Sequence, residues 1–231
     1  MKLSIIVCVF NEINTIREIL KKIDQVILPE NFSKEVIIID NNSTDGSKEL
    51  LKELVSLNKY KIIFKEKNLG KGNSVITGIN EATGDLTVFQ DADLEYEPAN
   101  YYKLINHLEE NNLDVVFGSR VKNSEDYFYY KINRYAVVNL TRLINLLFKG
   151  SFTDVATNHK LIKTKILKKL DLKFKGFTSD FEIAIKLLKK DYKCGEIPIK
   201  YFPRKYENGK KINFLDGIKS LYVILYFIFN S

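Results

Sequence analysis

Cysteine is scarce in this chain of 231 residues, which contains only Cys8 and Cys194. Both fall in apolar runs with strand-like composition, so we expect buried thiols in a reducing compartment. Two isolated cysteines also argue against a thiolate metal site. Internal repeats and low-complexity tracts are absent as well, and 45% of the residues are hydrophobic. These features predict one sizeable α/β domain with its own core and an appended C-terminal piece.

Long hydrophobic runs are also missing. The apolar stretch of Met1–Val7 is short, is followed by polar residues and lacks a small-residue cleavage site, so it indicates a first buried strand rather than a signal peptide. Near the other end, Leu221–Phe229 falls far short of the ~20 residues that a spanning helix needs. Three interpretations of that run stay open: a core helix, an interfacial helix, or the start of a membrane segment.

Glycine-rich phosphate-binding loops are not found in this sequence. Gly70-Lys71-Gly72 lacks the spacing of a Walker loop, and no Gly-x-Gly-x-x-Gly follows the first strand. Cys8-Val9-Phe10-Asn11 stands there instead. The sequence therefore excludes a P-loop nucleoside triphosphatase and a dinucleotide-binding domain.

Charge is distributed unevenly along the chain. Residues 1–120 contain 14 lysines and arginines against 19 aspartates and glutamates, whereas residues 121–231 contain 22 against 10. A basic half rich in Tyr and Phe fits anionic lipid headgroups, a polyprenyl phosphate or a nucleic acid. A solvated basic face explains many of these lysines equally well.

Strand-like and helix-like segments alternate through the first half. The predicted strands are Leu3–Phe10, Val36–Asp40, Lys61–Lys65, Leu86–Gln90 and Val115–Phe117. Amphipathic helices are predicted between them, and this rhythm with short connections favours a mostly parallel sheet flanked by helices. Beyond Ser119 the rhythm breaks. The second half is predicted to contain helices over Tyr127–Lys149 and Asp180–Lys190, a strand over Lys193–Ile199, and a charged loop over Tyr201–Lys211 that is long enough for a lid.

Polar clusters follow three of the predicted strands, namely Phe10-Asn11-Glu12, Asp40–Gly46 and Asp91-Ala92-Asp93. Carboxyl ends of parallel strands share one edge of a sheet, so these loops are expected to meet around one ligand. Asp40 is suited to accept hydrogen bonds from a ribose or a base. Asp91 and Asp93 suit a hard divalent cation, Mg²⁺ or Mn²⁺, shared with a diphosphate.

The order and spacing of these segments resemble the family 2 glycosyltransferases, which have a GT-A fold. The matching segments are Ser4–Glu12, Ile38–Ser47, Asn68–Asn73, Ala82–Asp85, Gln90–Leu94 and Gly118–Arg120. The second half is most similar to polyprenyl-phosphate sugar transferases of the dolichyl-phosphate mannose synthase type. The segments that carry this similarity are Asp154–Lys160, Phe177–Glu182, Glu196–Ile199, Arg204, Gly209–Ile212 and Asp216-Gly217.

The resemblance implies a Rossmann-like α/β GT-A domain over residues 1–231. Residues 1–120 would bind the nucleotide sugar and metal, and residues 121–231 the acceptor, with a basic lid and a C-terminal amphipathic helix. The donor would be a UDP- or GDP-linked sugar, held by Phe10, Asn11, Glu12, Asp40, Asn42, Lys71, Asp91 and Ala92. Asp91 and Asp93 would hold Mg²⁺ or Mn²⁺. The phosphates of donor and acceptor would be lined by Arg120, Arg134, Arg204 and Lys210, since basic side chains suit phosphate and guanidinium groups grip it bidentately.

Family membership further implies inversion at the anomeric carbon by direct displacement, with Asp93, Asp180, Glu182 and Arg204 as the catalytic set. A polyprenyl phosphate acceptor is already anionic and needs no base, whereas a glycan hydroxyl needs a carboxylate such as Asp180 or Glu182. Asp180 is alternatively a plain helix N-cap. A non-catalytic nucleotide-sugar or membrane-binding module is the third possibility.

The expected location is the inner face of the cytoplasmic membrane, with peripheral association, no nucleic-acid partner and a possible homo-oligomer. One departure from the family pattern is Asn158-His159, where many relatives have a small or Cys residue followed by an aromatic residue. That change leaves acceptor recognition open. A lone histidine beside a lysine is more often structural than catalytic.

Overall fold

The computed structural model describes residues 1–122, 131–204 and 214–230. Its centre is a seven-stranded sheet in the order β3-β2-β1-β4-β6-β5-β7. The strands are β1 Lys2–Val9, β2 Ser33–Asp40, β3 Lys61–Phe64, β4 Leu86–Asp91, β5 Val115–Ser119, β6 Lys160–Lys163 and β7 Cys194–Pro198. The helices are α1 Ile16–Gln25, α2 Ser47–Val55, α3 Lys71–Glu81, α4 Asn100–Glu110, α5 Lys131–Phe148, α6 Thr164–Lys168, α7 Ser179–Lys189 and α8 Phe214–Phe229.

The sheet is buried on both faces, as its continuous apolar strands predict. Alternate residues of β1 point to opposite sides, so that Ile5 and Val7 enter one hydrophobic cluster while Ile6 enters another. The first cluster includes residues of α1, α2 and α4, and the second includes residues of α3, α5, α6, α7 and α8. The predicted mostly parallel sheet flanked by helices is confirmed.

Three parallel strands that end in polar clusters lie side by side. In the register of β1, Val9 is opposite Asp40 of β2, and Cys8 is opposite Asp91 of β4. The carboxyl ends of the three strands are therefore level with one another. This alignment brings the loops after β1, β2 and β4 to one edge of the sheet.

Strand β6 runs antiparallel to both of its neighbours, β4 and β5. The sequence did not predict it, because it is only four residues long and begins and ends with lysine. Lys160 at its start is fully buried. The chain enters β6 through Thr157 and Asn158, and both of these are buried.

The helices of the second half agree with the sequence expectation where they are described. Helix α5 covers Lys131–Phe148 of the predicted Tyr127–Lys149, and the remainder before Lys131 lies outside the described residues, as do residues 205–213 of the predicted lid. Helix α8 buries Val223, Ile224 and Phe227 in the second hydrophobic cluster. Its other side exposes Leu215, Ile218, Leu221, Tyr222, Leu225, Ile228 and Phe229. Across the described ranges, each helix is too short or too polar to cross a bilayer.

Candidate active site

The loops after β1 and β2 are joined by hydrogen bonds. The backbone N–H of Asn11 donates to Ser43 Oγ over 3.0 Å, and that of Thr44 donates to Asn11 Oδ1 over 2.8 Å. Ser47 Oγ, at the start of α2, accepts from the Glu12 backbone N–H over 2.9 Å. Asn11 has a left-handed backbone with φ of 53°, a conformation that asparagine tolerates better than most residues. These bonds fix Glu12 beside the second loop.

Asp40 is fully buried at the end of β2, and its two oxygens accept from the Ser43 backbone N–H at 3.2 and 3.3 Å. Asn42 follows with φ of 61°, and its side-chain oxygen accepts from Lys48. Asp40 and Asn42, both predicted to bind the nucleotide, therefore make hydrogen bonds within the segment that follows β2. The neighbouring Asn41 bridges to Asn68 at 2.7 Å, a link between β2 and the entry to α3 that the sequence did not reveal.

Asp91 forms an ion pair with Lys71, the first residue of α3. Lys71 Nζ lies 2.8 Å from Asp91 Oδ1 and 3.1 Å from Oδ2. Burial alone would lower the pKa of Lys71, but the carboxylates of Asp91 and Asp180 outweigh it and raise that pKa above its usual range. Lys71 is therefore a fixed positive charge next to the predicted metal ligand. Of the other predicted donor contacts, Ala92 belongs to the hydrophobic core and Phe10, directly after β1, is partly buried.

Arg204 joins Asp93 to Glu12. Its Nη2 donates to Asp93 Oδ2 at 2.8 Å, and its Nη1 donates to Glu12 Oε2 at 2.9 Å. The Arg204 backbone N–H donates to Glu95 Oε1 at 2.8 Å. Burial, followed by the charges of Asp91 and Glu95, raises the pKa of Asp93 to about 7 despite the opposing effect of Arg204. Three sequence-predicted residues, Glu12, Asp93 and Arg204, are thus in direct contact.

This edge carries more negative than positive charge. Four carboxylates, those of Glu12, Asp91, Asp93 and Glu95, face two cationic side chains, those of Lys71 and Arg204. In the described parts of the chain, no group of three or more His, Cys, Asp or Glu is arranged to hold an ion alone. Mg²⁺ typically binds one or two carboxylates and completes its shell with water and phosphate oxygens. The donor set and its excess negative charge fit such an ion.

Asp180 and Glu182 lie in the first turn of α7 in different surroundings. Asp180 Oδ1 accepts from the buried Lys160 Nζ at 2.5 Å. Glu182 has no exposed surface, accepts from the Lys173 and Phe174 backbone N–H groups at 2.9 Å each, and pairs with Lys186. Glu182 therefore holds the segment before α7 in place. Asp180 is the one of the two that reaches the edge carrying Lys71, whose pKa it helps to raise.

The basic residues predicted to line phosphates are spread apart. Arg120 is buried and grips Asp154 with two side-chain bonds of 2.7 and 2.9 Å, and its guanidinium lies 5.2 Å from the centre of the Tyr201 ring. Arg134 is exposed on α5. Lys210 lies outside the described residues. Arg204 is the member of this set whose described contacts include the carboxylates of the edge.

Sequence reasoning missed three residues of the site, namely Glu95, Tyr201 and Lys160. Glu95 continues the alternation of Asp91-Ala92-Asp93-Leu94-Glu95, a spacing that could have identified it. Tyr201 donates its hydroxyl to Glu95 over 2.6 Å. The contacts of His159 with the described residues indicate a structural role. Its ring stacks between Tyr96 and Tyr101 at 5.3 and 5.4 Å, and burial lowers its pKa to about 3.

Comparison with known proteins gives a consistent result. The family described as Glycosyl transferase family 2 matches residues 4–171. A dolichol-phosphate mannosyltransferase of Pyrococcus furiosus is 32% identical over 190 residues, covering 80% of this chain and 53% of that protein. An undecaprenyl-phosphate 4-deoxy-4-formamido-L-arabinose transferase of Proteus mirabilis is 30% identical over 132 residues, covering 56% of this chain and 40% of its own length. The chain thus spans about half the length, or less, of these two relatives.

Among solved structures, glucosyl-3-phosphoglycerate synthase of Mycobacterium tuberculosis, crystallised with Mn²⁺, UDP and phosphoglyceric acid, superposes with a TM-score of 0.71. The match covers 97% of this chain and 77% of the synthase at 16% identity, so it establishes the fold alone. The predicted GT-A fold is confirmed. By its sequence match over most of its length, this chain belongs to glycosyl transferase family 2.

Proposed function

We propose that this chain transfers a hexose from a nucleotide-diphosphate sugar to a polyprenyl phosphate, with inversion at the anomeric carbon and with Mg²⁺ or Mn²⁺ as cofactor. The observation that carries the proposal is the group formed by Asp91 with Lys71 and by Asp93 with Arg204 at one edge of the sheet. Carboxylates for a metal and cations for phosphates are what a diphosphate leaving group requires. Residues 1–120 would serve the donor and residues 121–231 the acceptor.

Two relatives support the choice of acceptor. Their names specify a dolichol phosphate and an undecaprenyl phosphate, both of which are polyprenyl-type phosphates. One solved structure that shares the fold was crystallised with Mn²⁺ and UDP, which supports a metal and a nucleoside diphosphate as ligands. The identity of the sugar and of the base is part of the proposal to be tested.

Each polar residue has a distinct task in this proposal. Asp91 and Asp93 would hold the ion, which would supply Lewis-acid stabilisation of the leaving diphosphate. Lys71 and Arg204 would stabilise the negative charge that develops there. A polyprenyl phosphate attacks as an oxyanion, so none of these residues has to remove a proton from it.

A glycan hydroxyl acceptor is the second candidate, and one observation favours it. Asp180 lies next to the same edge and pairs with the buried Lys160 over 2.5 Å. Lys160 Nζ is bound to Asp180 Oδ1, so Oδ2 would take the acceptor proton. In this version Asp180 would be the base, as in the assembly of surface polysaccharides.

A transfer assay separates these possibilities. The purified chain would be incubated with Mn²⁺ and labelled UDP- or GDP-hexoses, and offered either a polyprenyl phosphate in detergent or a soluble oligosaccharide. Label in the organic phase supports the first acceptor, and label on the oligosaccharide supports the second. Absence of transfer with every pair, together with metal-dependent nucleotide binding in a thermal-shift assay, would favour the non-catalytic module.

A location at the inner face of the cytoplasmic membrane belongs to the same proposal. The basic second half and the exposed apolar side chains of α8 support peripheral binding to an anionic lipid surface. The alternative is that exposed apolar side chains of α5 or α8 form the interface of a homo-oligomer.

A further inference from the structure

Arg204 contacts Asp93, one of the two predicted metal ligands. Its guanidinium contacts three carboxylates, with Nη2 at 2.8 Å from Asp93 Oδ2, Nη1 at 2.9 Å from Glu12 Oε2 and Nε at 3.7 Å from Glu95 Oε1. Only 17% of the Arg204 side chain is exposed. A guanidinium shared by three partly buried carboxylates is an internal counter-ion rather than a chance surface pair.

The segment that carries Arg204 is anchored by the same carboxylates. Tyr201 donates its hydroxyl to Glu95, and the Phe202 backbone N–H donates to the Glu95 carbonyl oxygen at 2.9 Å. Tyr96 and Tyr201 also form an isolated antiparallel bridge. Residues 201–204 are thus tied to the loop that follows β4, which is the loop that carries Asp93.

Both oxygens of Asp93 are engaged in this arrangement. Oδ1 accepts from the Glu95 backbone N–H at 3.0 Å and Oδ2 accepts from Arg204. A divalent cation that approaches Asp93 at Oδ2 must therefore replace Arg204 or share that oxygen with it. Two cations at one carboxylate oxygen repel each other strongly in a partly buried site.

Arg204 is also incompletely satisfied in its present position. Its Nε is buried and has no hydrogen-bond acceptor among the described residues. A buried donor without an acceptor is costly, and a phosphate oxygen would satisfy it. The side chain is therefore suited to a second position, in which it binds an anion instead of the carboxylates.

We propose that Arg204 is a built-in counter-cation that competes with the divalent metal for Asp93 and, once displaced, becomes the ligand of the donor diphosphate. The inference rests on the proposed metal-dependent function and adds to it a coupling between metal entry and the position of residues 201–204. Arg204 then opposes binding of the metal alone and favours binding of the metal with a nucleotide. The two effects have opposite signs, and this is the property to measure.

The first experiment is calorimetric titration of Mn²⁺ into the full chain, with and without a saturating nucleoside diphosphate, UDP and GDP each being tried. Without nucleotide, Arg204→Ala is expected to bind Mn²⁺ about tenfold more tightly than wild type, because the competing cation is gone. With nucleotide, the same variant is expected to bind more weakly. Arg204→Lys keeps the charge but loses the two-armed contact, so its Mn²⁺ affinity is expected to lie between those of wild type and Arg204→Ala. This variant keeps the test valid if the alanine variant fails to fold.

Arg142→Ala is the matched control, because it removes one positive charge from an exposed position on α5. It is expected to bind Mn²⁺ like wild type. Equal or weaker Mn²⁺ affinity of Arg204→Ala without nucleotide would overturn the counter-cation inference and leave the metal-dependent function standing. No Mn²⁺ binding by any variant, in the presence or absence of nucleotide, would overturn both.

A second readout follows the segment itself. The chain contains no tryptophan, and Phe202 is 53% exposed two residues before Arg204, so Phe202→Trp supplies a single emitter. Mg²⁺, which does not quench fluorescence, is expected to shift the emission of Phe202→Trp. The shift should disappear in the Phe202→Trp/Arg204→Ala double variant. An emission shift of the same size in both proteins would overturn the inference.

Discussion

The two aspartates of the Asp91-Ala92-Asp93 motif have different partners: Asp91 is the last residue of β4, whereas Asp93 lies in the turn that follows it. Asp91 pairs with Lys71 from α3, whereas Asp93 pairs with Arg204 from the segment after β7. One motif of three residues thereby connects two elements that are more than 100 residues apart in sequence. The partners arrive through the fold, so the motif alone does not reveal them.

Replacement of Asp91 by asparagine tests its role in holding the metal. Asp91→Asn keeps the side-chain shape but removes the charge, and we expect loss of Mn²⁺-dependent nucleotide binding and a fall in turnover of at least about 10²-fold. Thermal shift with Mn²⁺ and the transfer assay measure the two effects. Asp171→Asn, at an exposed site, is the control. Turnover of Asp91→Asn close to that of wild type would contradict the proposed chemistry.

His159 makes a separate prediction about stability and pH. Burial lowers the pKa of His159 to about 3 in the folded chain, whereas an unfolded histidine titrates near 6.5. Between these values the unfolded chain binds a proton that the folded chain does not, so this residue lowers stability as the pH falls from 6.5 towards 3. The expected slope is at most about 1.4 kcal/mol per pH unit.

Urea unfolding at pH 7.5 and at pH 5.5 measures that slope. His159→Phe should keep the stacking between Tyr96 and Tyr101 and should lose less stability than wild type on acidification. The difference between the two proteins cancels the contribution of Asp93, whose raised pKa acts in the opposite direction. An identical pH dependence of the two proteins would show that His159 is not the titrating group.

At the scale of elements, the strands with both faces buried were the easiest to predict. The continuous apolar runs of β1, β2 and β4 predict buried strands. The polar residues at the ends of these strands predict the edge of the sheet where Asp91 and Asp93 lie. Strand β6 was missed because its buried Lys160 contradicts the pattern of a core strand. Its charge is balanced by Asp180 on α7, a partner 20 residues further along that only the fold brings close.

Helix α3 depends on a close approach to the segment before α7. The α-carbon of Gly72 lies so near that segment that a Cβ there would be 2.5 Å from the Phe174 carbonyl oxygen. Asn73 also donates its backbone N–H to the Lys175 carbonyl oxygen at 3.1 Å. These contacts hold Lys71, at the start of α3, beside Asp91.

A methyl group at Gly72 should therefore loosen that contact. Gly72→Ala is expected to lower the free energy of unfolding by about 1–3 kcal/mol, because backbone atoms must move to admit it. Gly176→Ala is the matched control, since a Cβ there meets nothing within 4 Å. Denaturant melts of both variants measure the difference. A Gly72→Ala protein as stable as Gly176→Ala would mean that the two segments separate without cost.

At the scale of the whole molecule, charge is segregated. The acidic first half carries the carboxylate edge, while the second half is basic and includes α8. The uneven charge was evident from the sequence. The sequence did not show which residues of α8 face outward, because the run Leu221–Phe229 is apolar throughout and its periodicity does not separate the two sides of the helix.

The outward side of α8 should bind anionic membranes. Ile218 and Leu225 are seven residues apart on one face of α8 and are 53% and 44% exposed. The double variant Ile218→Asp/Leu225→Asp is expected to lower the fraction that sediments with anionic liposomes by about tenfold or more, since it adds two charges where apolar side chains would enter the lipid surface. Wild-type binding should also weaken between 0.1 and about 0.5 M salt, as the Debye length falls from ~10 Å.

The double variant Ile27→Asp/Leu57→Asp makes the same change in charge at exposed apolar residues of the acidic half, so it controls for charge alone. It is expected to sediment like wild type. Equal loss of binding in both double variants would assign the effect to net charge rather than to α8. If wild type stays in the supernatant with anionic liposomes at low salt, the outward side of α8 has another occupant, and a polyprenyl phosphate would have to reach the carboxylate edge without peripheral binding by this chain.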